Sequence, residues 1–206
     1  MNTIINPVSI TFTERGSRFL GYVYHVATID NIEEKLGSLK KQYPDATHHC
    51  YAYRFNPENL HEFAHDDGEP GGTAGLPILN VLKSHELINV MAVAVRYYGG
   101  TKLGKPGLIH AYRTTVEQCI ESAAIGKLFL TQRIRLTYPY SEQKCVDQIT
   151  HNYGLTVTNR QYMEEVEITL ECDIKLAAKL KDELTAHAHM GFKTEDLEKF
   201  YGLKMI

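Results

Sequence analysis

No stretch of this sequence approaches the roughly 20 consecutive apolar residues that a membrane-spanning helix requires. The first residues, "MNTIINPVSITFTERGSRF", lack a basic segment followed by an apolar one, so no secretory signal is read there. Cys50, Cys119, Cys145 and Cys172 lie far apart, with no Cys-x-x-Cys pair among them. That removes the usual zinc and dithiol signatures and leaves free thiols in a reducing cytoplasm as the expectation. Nor is there a surplus of positive charge: 22 Lys and Arg stand against 25 Asp and Glu, a formal net charge of −3. Any anion site must therefore be a local arrangement rather than a property of the whole surface. No cofactor motif and no metal-ligand set is recognised. His48 and Cys50 share a strand face, but a structural histidine at a strand start is the preferred reading over a metal ligand.

What is present is ordinary globular material, 206 residues that are 43% hydrophobic and 23% charged, enough for one large domain or two small ones. "RFLGYVYHVA" sets Leu20, Tyr22, Tyr24 and Val26 on one side of a strand. "DNIEEKLGSLKKQY" spaces Ile32, Leu36 and Leu39 as one helical face, with Asp30 as the expected cap. "ATHHCYAYRF" reads as a second strand, and the polar, glycine-rich "NPENLHEFAHDDGEPGGTAG" as loop. A helix is expected from about Leu76. "NVMAVAV" is apolar at consecutive positions, as a strand covered on both faces would be. A further helix is expected from about Gly107.

The pattern resets near residue 127. Beyond it come a strand ("RIRLTYPY"), a helix capped by Ser141, a strand ("LTVTNRQY"), and "EVEITLECDI", whose Val166, Ile168, Leu170 and Cys172 alternate with Glu165, Glu167, Thr169 and Glu171. That alternation implies one buried face and one wet, acidic face. A helix and a short last strand complete the order β-α-β-β-α-β of a ferredoxin-like domain. Two domains are expected, 1–127 and 128–206.

The stretch "RYYGGTKLGKPG" sits after the apolar strand and imitates a phosphate-binding P-loop. It is not one. Pro106 occupies the position that needs a hydroxyl for Mg²⁺ and an N–H for phosphate, and the further parallel strands of that fold do not follow. Its glycines permit positive φ and close backbone approach, and Pro106 suits a helix start. The free N–H groups of that helix, with Lys102 and Lys105, form a possible anion site; the alternative is a compact turn with solvated lysines. A second glycine-rich loop, "HDDGEPGGTAGLP", brings Asp66, Asp67, Glu69 and Thr73. Its carboxylates suit metal binding, general-base work, capping of backbone N–H groups or pairing with Arg96.

Three blocks, "ATHHCYAY", "DDGEPGGTAGLP" and "VRYYGGTKLGKPGLIHAY", together resemble the YigZ/IMPACT family of cytoplasmic proteins. The resemblance spans about residues 15 to 125. It implies an α+β protein of two domains. The first would have the left-handed β-α-β crossover of a small-subunit ribosomal protein and of domain IV of elongation factor G. The second would look like the ferredoxin-like domain V of that factor. Eukaryotic relatives are translation regulators, so the resemblance implies a non-enzymatic, translation-associated role with the ribosome, RNA or a translation factor as partner. The expected binding residues are Asp66, Asp67, Glu69, Thr73, Arg96, Lys102, Lys105 and Arg113. A small hydrolase or transferase acting on an anionic substrate, with Asp67 or Glu69 as base, is the alternative, and a pure protein-interaction module is a third reading. No cofactor and no metal are expected.

Overall fold

In the computed structural model, which describes residues 1–205, the chain first runs through β1 (Asn2–Ile4), β2 (Val8–Glu14), β3 (Ser17–His25), α1 (Ile29–Gln42), β4 (His48–Phe55), β5 (His61–His65), α2 (Gly75–Ser84), β6 (Val90–Tyr97) and α3 (Gly104–Glu121). It continues through β7 (Ile125–Tyr138), α4 (Gln143–Tyr153), β8 (Thr156–Tyr162), β9 (Val166–Asp173), α5 (Ile174–Ala186) and β10 (Lys193–Met205). Two units separate, Met1–Lys127 and Leu128–Lys204.

The first unit is built on the sheet β2-β3-β6-β4-β5. All four neighbouring pairs are antiparallel. Strand β6 lies at the centre because its residues are apolar at both parities. Val90, Ala92 and Ala94 face α2 and α3, while Met91, Val93 and Val95 face α1. The sheet is thus sandwiched, with α1 on one face and α2 and α3 on the other. Tyr22, Tyr24, Tyr51 and Tyr53 pack partly buried on the α1 side.

This arrangement fixes an unusual chirality. Strands β3 and β4 run parallel with β6 between them, and β5 and β6 run parallel with β4 between them. Turning the sheet half a revolution in its own plane brings the β3-α1-β4 shift onto the β5-α2-β6 shift. On one common face the two crossovers would share a hand. Their helices lie on opposite faces, so the hands are opposite, and one of the two departs from the right-handed rule.

Several local expectations are corrected. The cap of α1 is Thr28, not Asp30: its backbone is extended (φ −138°, ψ 162°) and its side chain accepts from Asn31 N at 3.2 Å, an arrangement worth about 1 kcal/mol. Strand β5 replaces part of the expected loop. Helix α2 begins at Gly75, and α3 begins at Gly104, so Pro106 falls inside its first turn, where no N–H is missed. Ser141 lies in a 3-10 turn (Tyr140–Glu142), and Glu142 precedes α4 without a side-chain cap.

In the second unit the sheet runs β10-β7-β9-β8. Ile134, Leu136, Val166, Ile168 and Leu170 pack against Val146 and Ile149 of α4 and Leu180 and Leu184 of α5. The opposite face is half-buried rather than simply wet and acidic. Arg133 pairs with Glu171 at 2.7 Å and with Glu198, and Arg135 pairs with Glu195 at 2.5 Å and Glu167 at 3.5 Å. Helix α4 ends on Gly154 in the left-handed region (φ 59°).

Candidate functional site

Period-two alternation along β6 carries Arg96 onto the face of Val90, Ala92 and Ala94, at the end of the strand where both glycine loops meet it. There the loop between β5 and α2 supplies Glu69. Arg96 Nη1 donates to Glu69 Oε1 at 2.6 Å, and Nη2 donates to Ser17 Oγ at 3.2 Å. Tyr112, from α3, donates its hydroxyl to the same Glu69 oxygen at 2.7 Å. The Cys50 Sγ in turn lies 3.3 Å from Tyr112 Oη and 3.0 Å from the Asp66 carbonyl oxygen, two acceptors within reach of its one proton. Both charged side chains are almost fully withdrawn from water, 6% exposed for Arg96 and 4% for Glu69. The guanidinium lies 5.4 Å from the Phe19 ring centre and 5.5 Å from that of Tyr98, a further source of attraction for a desolvated cation. Its Nε has no hydrogen-bond partner although it is buried.

The titration of this cluster argues against nucleophilic chemistry. Burial pushes the Cys50 thiol well up, only partly countered by its bond to Tyr112. Burial, with Cys50 and Glu69 alongside, raises the Tyr112 hydroxyl as well. Both groups are thus held protonated, and a thiol is a poor nucleophile compared with its thiolate. The Oε1 atom of Glu69 is already engaged by two donors. Next to it, His48 Nε2 stands 3.8 Å away, and His48 Nδ1 is 2.7 Å from the Asp67 carbonyl oxygen.

The other acidic residues shape the loop. Asp66 Oδ1 accepts from Ala74 N and Gly75 N, both at 2.9 Å, and Oδ2 accepts from Gly72 N at 2.8 Å. It serves as the cap of α2, whose preceding residue, Ala74, has no side chain for the task. Burial raises its carboxyl, but the N–H donors of Gly72, Gly75 and Ala74 together outweigh this and hold it below the ordinary value. Asp67 Oδ2 accepts from His49 N at 2.6 Å, tying the loop to β4. Thr73 donates to the Pro70 carbonyl at 2.6 Å.

The second loop is held by a close approach. A Cβ on Gly99 would fall 1.9 Å from the carbonyl carbon of Gly16, so only glycine lets this loop rest on the β2–β3 turn. Gly100 and Gly104 take positive φ, 86° and 70°. Leu103 then opens α3 without any side-chain cap, leaving first-turn N–H groups available.

Between the loops lies a cavity of about 390 Å³. Its buried end is the Glu69–Arg96 pair; Pro70, Tyr98, Leu103 and Leu108 form apolar walls, and Lys102, Gly104 and Lys105 stand at the open end. Of the residues singled out in the sequence, Glu69, Arg96, Lys102 and Lys105 are brought together here. Asp66, Asp67 and Thr73 hold the loop beside it. Arg113 is elsewhere: it pairs with Glu117 at 2.7 Å and lines a separate groove with Leu76 and Ile109. Ser17, Cys50, Tyr98 and Tyr112 were not among the expected site residues. Tyr112 had a signal, a hydroxyl at an inward position of α3 next to Ala111, which demands a buried partner. Ser17 had none. Among the described residues no group of His, Cys, Asp or Glu is placed to hold a metal ion, and no helix is long and apolar enough to cross a membrane.

The Impact N-terminal domain matches residues 15–120, which include both glycine loops. An IMPACT family member of Haemophilus influenzae is 30% identical over 186 residues, 88% of this chain and 90% of that protein. The family member YigZ of Escherichia coli is 37% identical over 116 residues, 55% of this chain and 57% of its own. Protein IMPACT of Rattus norvegicus is 32% identical over 120 residues, 57% of this chain and 36% of its own. A crystal structure of a hypothetical protein superposes with a TM-score of 0.68 at 25% identity, covering 96% of this chain and 97% of that one. With its glycine loops inside the matched domain and similarity to a bacterial member over nearly its whole length, the chain belongs to the IMPACT family.

Proposed function

We propose that the protein is a non-enzymatic, cytoplasmic, translation-associated regulator that holds an RNA phosphate at the start of α3. The observation that carries the reading is the cavity, where two lysines and an uncapped helix N-terminus share one opening. A helix N-terminus favours an anion through its free N–H groups and its dipole, and the lysines add the charge that the chain as a whole lacks. Arg96 acts through Glu69 rather than as a free cation, and Asp66, Asp67 and Thr73 set the loop's shape.

The architecture supports the same assignment by analogy only. The crossovers of opposite hand suit the elongation factor G domain IV reading of residues 1–127. The sheet order β10-β7-β9-β8 suits a ferredoxin-like, domain V reading of residues 128–206. Translation is the process that both analogies share with the family resemblance. A hydrolase is disfavoured by the protonated Cys50 and Tyr112 and by the doubly engaged Glu69.

Binding of a structured RNA measured against salt tests the proposal. A steep loss of affinity with salt is expected, becoming shallower in Lys102→Ala/Lys105→Ala by roughly one slope unit for each phosphate contact removed. No binding, or identical salt slopes for the two proteins, would end it.

A further inference from the structure

We infer that the cavity takes one whole nucleotide, with the phosphate at the open end and the base inside against Tyr98. The inference rests on the phosphate reading proposed above and extends it from a charge to a ligand class. A bare phosphate needs donors but no apolar walls, and it does not need about 390 Å³, a volume within the range of small-molecule sites. Yet four of the lining residues, Pro70, Tyr98, Leu103 and Leu108, offer carbon surface.

Charge sets the orientation. Lys102, Lys105 and the uncapped start of α3 lie at the exposed end, so the phosphate belongs there. At the buried end Glu69 would repel an anion, and its Oε2 takes no part in the bonds that Arg96 and Tyr112 make to Oε1. A ribose hydroxyl or a base amino group donates to such an oxygen. A phosphate cannot.

Tyr98 completes the arrangement. The residue is 46% exposed, it lines the cavity, and its hydroxyl donates to the Gly100 carbonyl at 2.6 Å, which fixes the ring's position on the loop. A preset aromatic ring beside a cationic rim is the combination that binds a base and its phosphate together. Either a free nucleotide or a single nucleotide of an RNA strand has this chemistry.

Calorimetric titration of the full chain with AMP, GMP, CMP, UMP, ribose 5-phosphate and inorganic phosphate tests the inference. At least one nucleoside monophosphate is expected to bind about tenfold or more tightly than ribose 5-phosphate, the size of one base–aromatic stack. Tyr98→Ala should bring the two ligands level, Tyr98→Phe should keep the preference, and Lys102→Ala/Lys105→Ala should weaken both. Competition by the preferred monophosphate against a single-stranded RNA would assign the pocket to a strand, and its absence to the free nucleotide. Equal affinities in the wild type would overturn the inference and leave the phosphate reading standing. RNA binding that needs the lysines, with no monophosphate binding at all, would do the same. Loss of every ligand and of RNA binding would remove both.

Discussion

The buried ion pair of the first unit and the sheet-face ion pairs of the second use charge in opposite ways. In the first, a single pair, Glu69–Arg96, is almost wholly withdrawn from water and bolstered by Tyr112, Ser17 and two aromatic rings. In the second, Arg133 and Arg135 are each committed to two glutamates on a sheet face that water reaches, with Lys193 and Glu165 beside them. Burial makes the first arrangement expensive to form and ruinous to break, because a lone charge would remain. Exposure makes the second individually weak. The difference locates chemistry: Arg133 and Arg135 are neutralised in place, whereas the first unit hides the Glu69–Arg96 pair under an opening whose lysines no ion pair holds among the described residues.

The sharpest way to break this comparison is Glu69→Ala. It strands the Arg96 guanidinium, and the expected cost is about 3–5 kcal/mol. Urea denaturation followed by circular dichroism or tyrosine emission would measure it, since the chain has no tryptophan. Glu69→Gln keeps an acceptor for Tyr112 and should lose less. A loss in Glu69→Ala below about 1 kcal/mol would put the buried pair on the same footing as the surface ones.

Asp66 comes next. It satisfies the N–H groups of Ala74 and Gly75 at the start of α2 and that of Gly72 in the loop before it, so Asp66→Ala should cost about 1–2 kcal/mol at neutral pH. Its folded-state carboxyl lies below the ordinary value of 3.8. The folded state therefore binds fewer protons than the unfolded one as the pH drops past 3.8. This contribution is fully present above that value and disappears as the pH falls through the lower, folded one. Wild-type stability should decline more steeply below pH 3.8 than that of Asp66→Ala. Parallel pH profiles of the denaturation midpoint would show that the loop does not depend on this charge.

How much of this was legible beforehand follows from which signals the residues carry. The apolar run at β6 announced a strand covered on both sides, and it is one. The alternation of Val166, Ile168 and Leu170 against Glu165 and Glu167 gave the faces of β9, though not the arginines that pair with them, because pairing depends on register across to β7. Strand β5 was unreadable: His61, Glu62, Phe63 and His65 are all exposed at a sheet edge, and nothing in their polarity distinguishes them from a loop. The chirality of the crossovers is invisible in any period, since it depends on which face each helix takes. At the site, glycines and charges marked the loops. The sorting of carboxylates, with Asp66 to backbone, Asp67 to β4 and Glu69 to Arg96, required the fold, and so did the exclusion of Arg113.

Arg135→Ala supplies the second unit's side of the comparison. Its side chain is 39% exposed, and the loss should stay at or under about 1 kcal/mol. It should shrink further in high salt, where exposed pairs are screened. A larger, salt-independent loss would mean that the ladder acts as a buried network.

The smallest effect on stability is expected where the effect on function is largest. Lys102 and Lys105 are exposed, and among the described residues no ion pair holds either of them. Lys105 also stands in the first turn of α3, the end of a helix where a cation is disfavoured by the dipole. Two positive charges three residues apart at that end repel each other as well. Replacing both by alanine should therefore leave the thermal midpoint unchanged or raise it slightly at low salt, while RNA and nucleotide binding weaken. A residue that costs stability and is needed for binding marks a functional charge. If the double variant instead unfolds at a lower temperature, the lysines belong with Asp66 and Glu69 as parts of the scaffold, and the contrast between hidden structural charge and open binding charge within the first unit falls.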